Sequence, residues 1–418
     1  MSSQKIAVIG SGISGLTAAH LLSREHEVTV FESSDYIGGH THTVPVELEG
    51  NSFQVDTGFI VCNDRNYPNF MKFMDQLNVN VQPTDMSFSV RNNTMDLEYN
   101  GHSLNTLFSQ RSNLLRPYFY KLIGEILRFN KASKLAIEEG SISAIPLNEF
   151  VAQQQFSAVF KDNYLLPMIA AIWSCSADQA GNFPLEFFLK FFHNHGLLDI
   201  KNRPQWYVLE GGSSSYIEPM TAGFRDRIKL NTPVLEVSRT DELIKVLTTD
   251  SVEEFDQIIM ACHSDQALNL LHQPTVNEEL ILGAMGYQNN DVILHHDESI
   301  MPRKPLSWAS WNLLTGEDKS NEPPLVTYCM NILQGLNSPD PLLVSLNARH
   351  KLDPKKILRE FSYAHPVFST ESMAAQKRRK EICGIDRIHY CGAYWYSGFH
   401  EDGVRSALDV CERFGITL

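Results

Sequence analysis

Three things are scarce in this 418-residue chain. Cysteine is the first. The seven present are Cys62, Cys175, Cys262, Cys329, Cys383, Cys391 and Cys411, odd in number, widely spaced and without a CxxC pair. That pattern excludes a disulfide frame or a zinc knuckle and points to free thiols in a reducing compartment. Basic charge is the second: 35 Lys and Arg face 49 Asp and Glu, for a formal net charge of −14. A chain so acidic is not built to track a phosphate backbone, so no nucleic-acid partner is expected. The third is long apolar runs. None approaches the roughly 20 residues of a spanning helix. The N-terminus runs directly into a strand pattern, so no secretory leader is expected and the expected location is cytoplasmic. Repeats, low-complexity tracts and long linkers are missing too. The chain is nevertheless 43% hydrophobic, enough for a large core and more than one domain.

The strongest local signal comes first. Lys5-Ile6-Ala7-Val8-Ile9 is an apolar strand pattern, followed by Gly10-Ser11-Gly12-Ile13-Ser14-Gly15, a helix pattern over Leu16 to Ser23, and a second strand over His26 to Glu32. This is a complete βαβ dinucleotide fingerprint. Gly10 permits the tight turn, Gly12 lets the backbone approach a pyrophosphate, and Gly15 lets helix and strand pack closely. The phosphates belong at the helix N-terminus, where free N–H groups and the dipole favour anions. Glu32 lies about 20 residues past the glycines, where an acid bonds the ribose hydroxyls.

The second strand leads through Glu32 and Ser33 into Gly38-Gly39-His40-Thr41-His42-Thr43-Val44. His40 and His42 have no Cys or His partner nearby in sequence, and zinc needs three or four ligands, so no metal is expected. A strand ending on an acid and then a double glycine resembles the FAD-binding superfamily of amine oxidases, phytoene desaturases and protoporphyrinogen oxidases. In that superfamily the Gly-Gly turn returns the chain past the pyrophosphate towards the flavin. The resemblance implies cofactor contacts from Ser14, Ser33, Gly39 and His40, although many amine oxidases carry Arg at the His40 position. Asp56-Thr57-Gly58-Phe59-Ile60 is similar to the family's segment beside the isoalloxazine ring, which adds Thr57, Gly58, Phe59 and Ile60.

Further along, MSFSV and MDLEY read as strands around an Arg91-Asn92-Asn93 turn, and residues 104–195 are mostly helical in pattern. Strand patterns return in WYVLE, IKLNTPVLEVS, IKVLTT and DQIIMAC (206–262), then in DVILHH and PLVTYCMNIL (291–333). The strand around Thr232-Pro233-Val234 resembles the one that meets the adenine end of FAD, with Val234 bonding through its backbone. The expected fold is α/β: a Rossmann-like FAD-binding domain (1–80, 205–265 and 380–418) interleaved with a mixed-sheet and helical substrate domain (81–204 and 266–379).

The C-terminus supplies a second motif. Arg387 to Gly392 is strand-like, and Ala393-Tyr394-Trp395-Tyr396-Ser397-Gly398-Phe399-His400-Glu401-Asp402-Gly403-Val404 leads into a helix over Arg405 to Phe414. This resembles the closing FAD motif of the superfamily and implies flavin contacts at Gly392, Gly403 and Val404. The expected helix start at Gly403 and Val404 would aim N–H groups at the pyrimidine end of the ring and favour an anionic reduced flavin. Many relatives carry an acid after the glycine; here it is Ala393. AIWS (171–174), FHNHG (192–196), RPQWYVLEGGS (203–213) and WASWN (308–312) extend the resemblance to one bacterial subgroup of predicted FAD-dependent oxidoreductases, a subgroup connected with fatty-acid modification.

Flavin carries the hard chemistry, so catalytic side chains can be few. His400, Tyr396 and Phe399 are the catalytic candidates, and the resemblance leaves open whether Phe399 or His400 takes the place of the family's aromatic. Trp173, His193, His195, Trp308 and Trp311 are candidates for the substrate cavity, with ordinary packing as the competing reading. No Cys falls where monoamine oxidases attach their flavin; His365 does, and noncovalent FAD is expected. Residues 111–134 carry six basic residues against one acid, Glu125, with Leu115, Phe119, Leu122, Ile126 and Phe129 on one helical face. Such a segment either docks on anionic lipid or walls a domain. The expected function is transfer of hydride from a C–N or C–C bond to flavin, on a small-molecule or lipid substrate. Amine or polyamine oxidation, redox-neutral double-bond isomerisation and non-catalytic flavin binding are the alternatives.

Overall fold

The structure, a computed structural model, describes residues 3–140, 142, 145–173, 180–199, 202–316 and 325–418. Cys175 and Ser174, the end of the AIWS segment, lie outside them.

A five-stranded parallel sheet forms the nucleotide-binding half, in the order Ile228–Lys229, Glu27–Phe31, Lys5–Ile9, Gln257–Met260, Ile388–Tyr390. Its inner strands are buried apolar runs, as expected when both faces of a parallel sheet are covered. Its strands come from the start, middle and end of the chain, because parallel neighbours need long crossovers. The helix Ile13–Leu22 is buried at every position but His20, and it packs against the last long helix, His400–Cys411. Ala267, Leu271, Ile281, Leu282, Met285 and Ala375 also pack into this core, although the sequence division assigns 266–379 to the substrate side.

The second half is built on a seven-stranded mixed sheet, in the order Ile357–Val367, Gly286–His295, Leu343–Leu346, Leu325–Cys329, Trp311–Thr315, Phe88–Asn92, Leu97–Asn100. Against it lie the helices of the 104–194 region, whose core is dominated by aromatic rings: Phe119, Phe129, Phe160, Phe188 and Phe192 are fully buried. The hairpin Thr43–Leu48/Asn51–Asp56 closes a third core over the mixed sheet.

Several local expectations shift. The turn between MSFSV and MDLEY falls after Asn92, because Arg91 and Asn92 pair with Glu98 and Leu97. Met330–Leu333 is a helical turn and not a continuation of its strand. The face marked apolar in residues 111–134 turns inward: Phe119, Leu122 and Phe129 are buried in the helix Pro117–Glu138. Leu115 does not join them. It sits in the preceding 3-10 turn, Arg111–Leu115, and is 87% exposed. Among the described residues no helix is long and apolar enough to cross a membrane.

Candidate functional site

The glycine turn is shaped by contacts that only glycine allows. Gly10 has φ +103°, a left-handed conformation, and its N–H donates to the Phe31 carbonyl at 2.8 Å. A Cβ on Gly15 would lie 2.0 Å from the Gly10 carbonyl oxygen, so helix and turn touch there. Gly12 is different. It is extended (φ −64°, ψ 173°), and a Cβ there would meet nothing within 4 Å. It caps the helix Ile13–Leu22 without any side-chain acceptor, so the first turn presents free donors to open space. Glu32, 8% exposed, reaches across from the end of its strand. Its Oε2 accepts from the Ser11 N–H (2.9 Å) and Ser11 Oγ (2.7 Å), and its Oε1 from the Ser34 N–H (2.9 Å). Ser33 is exposed, and its hydroxyl reaches the same carboxylate only at 3.4 Å. Thr232 N–H donates to the Glu32 carbonyl (2.8 Å), which carries Thr232-Pro233-Val234 past the acid.

The Gly38-Gly39 loop closes over this turn: a Cβ on Gly39 would lie 3.2 Å from Gly12 Cα. The two histidines that follow both face one strand of the mixed sheet. Phe361, Tyr363 and His365 alternate along Ile357–Val367 and so share a face. His42 Nδ1 bonds the Tyr363 hydroxyl at 2.8 Å, and its ring meets Phe361 at 5.0 Å and stacks on Tyr36 at 4.3 Å. His40 lies 5.3 Å from both Tyr363 and His365, and 6.1 Å from His263. Its Nε2 is buried without a hydrogen-bond partner. Burial, with His365, His263 and His400 nearby, pushes its pKa down to about 3, so the ring is neutral at pH 7. Among the described residues no cluster of three or more potential ligands is arranged to hold a metal.

Phe59 N–H donates to the His40 carbonyl (2.7 Å), and a Cβ on Gly58 would strike that same oxygen at 2.1 Å. The segment Thr57–Ile60 is thereby fixed to the histidine loop, and Thr57 Oγ1 also meets the Tyr363 hydroxyl at 2.9 Å. Asp56 anchors it from behind. The buried carboxylate accepts from Thr43 Oγ1 and from the Ser213 N–H and hydroxyl. Burial raises its pKa to about 6 against those bonds.

The C-terminal motif differs from expectation in one important respect. Its helix begins at His400, not Arg405, with Phe399 as the cap residue. Asp402 accepts from the Phe399 and Ser397 N–H groups (2.9 and 3.2 Å), which sets the start there. Gly403 and Val404 are therefore inside the helix. The Gly403 N–H donates to the Phe399 carbonyl, and a Cβ on Gly403 would lie 2.6 Å from Ile13 and 3.0 Å from Ser14 Oγ. Gly403 is needed for close approach of the two helices, and Val404 is core. The N-terminus of this helix is Phe399–Asp402. Gly392 serves a similar packing role: a Cβ there would lie 2.3 Å from the Tyr394 ring.

The three catalytic candidates separate. His400 turns towards the glycine loops: it stacks on Phe59 (centroids 3.7 Å, 8° between planes), and its Nε2 meets the Tyr216 hydroxyl at 3.1 Å. That hydroxyl also meets Thr41 Oγ1 at 2.6 Å. Burial lowers the His400 pKa to about 3. Phe399 turns the other way, stacking on Phe191 (5.0 Å, 21°) and approaching His195 (5.5 Å). Tyr396 joins neither group. Its hydroxyl donates to Asp409 at 2.6 Å and Arg405 lies 4.1 Å over its ring, both on the outer side of the helix. These contacts tie Tyr396 to the closing helix.

Of the cavity candidates, Trp173 and His195 join Phe399. Trp173 lies 4.6 Å from Phe191, and His195 stacks on Phe191 at 3.8 Å with Nδ1 bonded to the Phe191 carbonyl. His193 is exposed on the far side of its helix. Trp308 and Trp311 pack elsewhere, against Met301 and Cys329 and against Tyr328. Tyr216, Phe70 and Phe368 complete the two ring groups without any sequence expectation; Tyr216 had only the preceding Gly211-Gly212 turn as a signal.

These features fit a flavin dinucleotide. An uncapped helix N-terminus beside Gly12 suits a pyrophosphate, and the unpartnered His40 Nε2 suits a polar ring edge. A family profile for flavin-containing amine oxidoreductases matches residues 13–345. The 1-hydroxycarotenoid 3,4-desaturase of Flavobacterium sp. (strain P99-3) is 26% identical over 231 residues, 52% of this chain and 41% of that protein. AofH of Mycobacterium tuberculosis, named as a flavin-containing monoamine oxidase, is 24% identical over 266 residues, 61% of this chain and 56% of that protein. The chain thus spans about half the length of these relatives. Among solved structures, a fatty acid isomerase from P. acnes superposes with a TM-score of 0.71 at 16% identity, covering 99% of each chain. Cyclohexylamine oxidase from Brevibacterium oxydans IH-35A gives 0.70 at 13% identity, covering 99% of this chain and 100% of that one. With the glycine turn, its acid and the closing helix all in place, the chain belongs to the flavin-containing amine oxidoreductase family.

Proposed function

We propose that the protein binds FAD noncovalently and oxidises a largely apolar substrate, with a fatty-acyl chain as the favoured class. When bound, the flavin supplies the hydride acceptor for a substrate C–H bond. The chain's own residues bind, orient and exclude water. In this reading Gly12 and the N-terminus of Ile13–Leu22 hold the pyrophosphate, Glu32 the ribose and Val234 the adenine end. His40, Phe59 and the Phe399–Asp402 helix start stand around the ring. The FAD-binding part is then 1–80, 205–265 and 380–418, with the mixed sheet and aromatic helices as the substrate part.

The observation that carries the substrate class is the shell around Phe399. It consists of rings: Phe191, His195, Trp173 and, through Phe187, Phe368. His195 is neutral at pH 7, because burial pushes its pKa down to about 4. An uncharged aromatic wall suits a long apolar chain. A carotenoid desaturase among the relatives agrees with that, and the monoamine oxidase name sets the alternative.

The test is anaerobic bleaching of the flavin by unsaturated fatty acids, monoamines and polyamines. Bleaching by acyl substrates and not by amines is expected. Bleaching by amines alone overturns the substrate class. Isomerised product with no electron acceptor consumed overturns net oxidation, and a yellow protein bleached by neither overturns catalysis on these classes.

A further inference from the structure

The outer face of the helix Pro117–Glu138 and the turns beside it form a surface that the flavin reading does not use. With the inner face packed in the core, a domain helix would be expected to show a polar exterior. This one does not. Twelve large hydrophobic residues are exposed among the described residues, and six of them, Leu104, Leu114, Leu115, Tyr120, Leu127 and Leu135, fall in this one stretch. A seventh, Leu306, lies in the turn Pro305–Ser307, which packs against the short helix Leu104–Leu107.

Basic residues outnumber acids around these positions: Arg111, Lys121, Arg128, Lys131, Arg303 and Lys304 are exposed against Asp96, Glu138 and Glu139. Lys121 and Lys131 lie on the same outer face as Tyr120, Leu127 and Leu135, and both are exposed. Neither forms an ion pair among the described residues, whereas Arg128 is held over Phe156 and Lys134 bonds Asp199. Of the nearby acids, Glu138 and Glu139 lie at the exposed C-terminal end of the helix, and two others are committed. Glu125 is buried and accepts from Ser157, and Asp96 is bridged by Arg116 and Arg303. A chain of net charge −14 thus presents a locally cationic, leucine-studded face.

We propose that this face docks on an anionic lipid surface. Leucines and a tyrosine enter the headgroup boundary while the lysine ammonium groups stay at the phosphate level. The excess of exposed basic residues over acids on this face favours an anionic surface as its occupant. The position is also apt. From Phe129 on the buried side of the helix, ring contacts run to Phe188 (6.2 Å), Phe192 (4.1 Å), Phe191 (6.4 Å) and Phe399 (5.0 Å). Docking would place the bilayer against the outer wall of the aromatic layer that ends on the C-terminal motif. The inference stands on exposure and charge alone and does not depend on the bound cofactor.

Flotation of the full-length protein with phosphatidylcholine vesicles, with and without phosphatidylglycerol, tests it. Binding to the anionic vesicles only, weakened by added salt, is expected. Each lysine contributes about fivefold near such a surface, so Lys121→Gln with Lys131→Gln should lower partitioning about 25-fold. Leu115→Ser with Leu127→Ser should also weaken binding to the anionic vesicles, and Lys245→Gln, on a distant strand, should change nothing. No flotation with anionic vesicles at low salt overturns the proposal. So does undiminished flotation of the lysine variant when its melting temperature matches the parent. A lipid-free dimer broken by the leucine variant would assign the face to a second copy instead.

Discussion

Alanine at Gly12 and alanine at Gly15 should fail in opposite ways. Gly12 is extended, with open space where its Cβ would lie. Alanine fits that backbone and loses less freedom on folding, so apoprotein stability should hold or rise by roughly 0.4–1 kcal/mol. The methyl group would stand where the pyrophosphate must approach the main chain. Losing one charge-assisted hydrogen bond there costs about 1.5–3 kcal/mol, or roughly 10- to 140-fold in FAD affinity. Gly15 is inside the helix, where alanine gains about 1 kcal/mol of propensity. Its Cβ would sit 2.0 Å from the Gly10 carbonyl oxygen and 3.2 Å from Ala261 Cβ, so the helix must retreat by over an ångström. Overpacking of that kind costs about 1–3 kcal/mol, occasionally more. Gly15→Ala should therefore lower apoprotein stability, and FAD affinity only as a consequence. Urea unfolding of each apoprotein, paired with titration by flavin fluorescence, separates the two effects. Parental FAD affinity in a stable Gly12→Ala protein would refute the placement of the phosphates.

Glu32→Ala should lower FAD affinity by a similar 1.5–3 kcal/mol. It should also destabilise the apoprotein, because the Ser11 and Ser34 N–H groups lose their acceptor; an unchanged urea midpoint would contradict that coupling. Phe399→Ala should lower kcat/KM for long acyl substrates at least tenfold with the flavin spectrum retained, whereas Tyr396→Phe should alter stability by about 1 kcal/mol and leave turnover unchanged. His40 and His400 are held neutral, with folded pKa values of about 3 against roughly 6.5 when unfolded. Such groups take up protons on unfolding, so the stability they contribute is present above pH 6.5 and is lost as pH falls towards 3. Each should steepen acid destabilisation of the apoprotein by about 1.4 kcal/mol per pH unit in that window. His400→Gln should reduce the slope in urea titrations by about that amount, and an unaltered slope would mean the ring is not buried neutral.

The parts legible in the sequence are those that short-range geometry dictates. The turn Gly10–Gly15 and the acid Glu32 follow from strand, helix and strand in a fixed spacing, and the structure joins them through Ser11. The glycine loop that carries His40 and His42 is legible, but the partners of the two histidines are not. Tyr363 and His365 arrive from a strand over 300 residues away. The same limit hid Tyr216, which reaches Thr41 and His400 across 175 and 184 residues. The closing helix was misplaced by five residues because Asp402 caps its start through its side chain, an interaction that apolar periodicity does not register. In the basic segment, the wheel identified the buried face and missed the exposed leucines, since burial of one face says nothing about the other.

The central claim, one noncovalent FAD per chain held on the Gly12 turn, is tested most directly by acid precipitation of the purified protein. The account predicts a yellow protein that releases FAD into the supernatant in a one-to-one ratio and leaves a colourless pellet. A pellet that keeps its colour would move the attachment to a covalent bond, with His365 as the first residue to examine. A colourless protein that does not take up added FAD would contradict the account altogether.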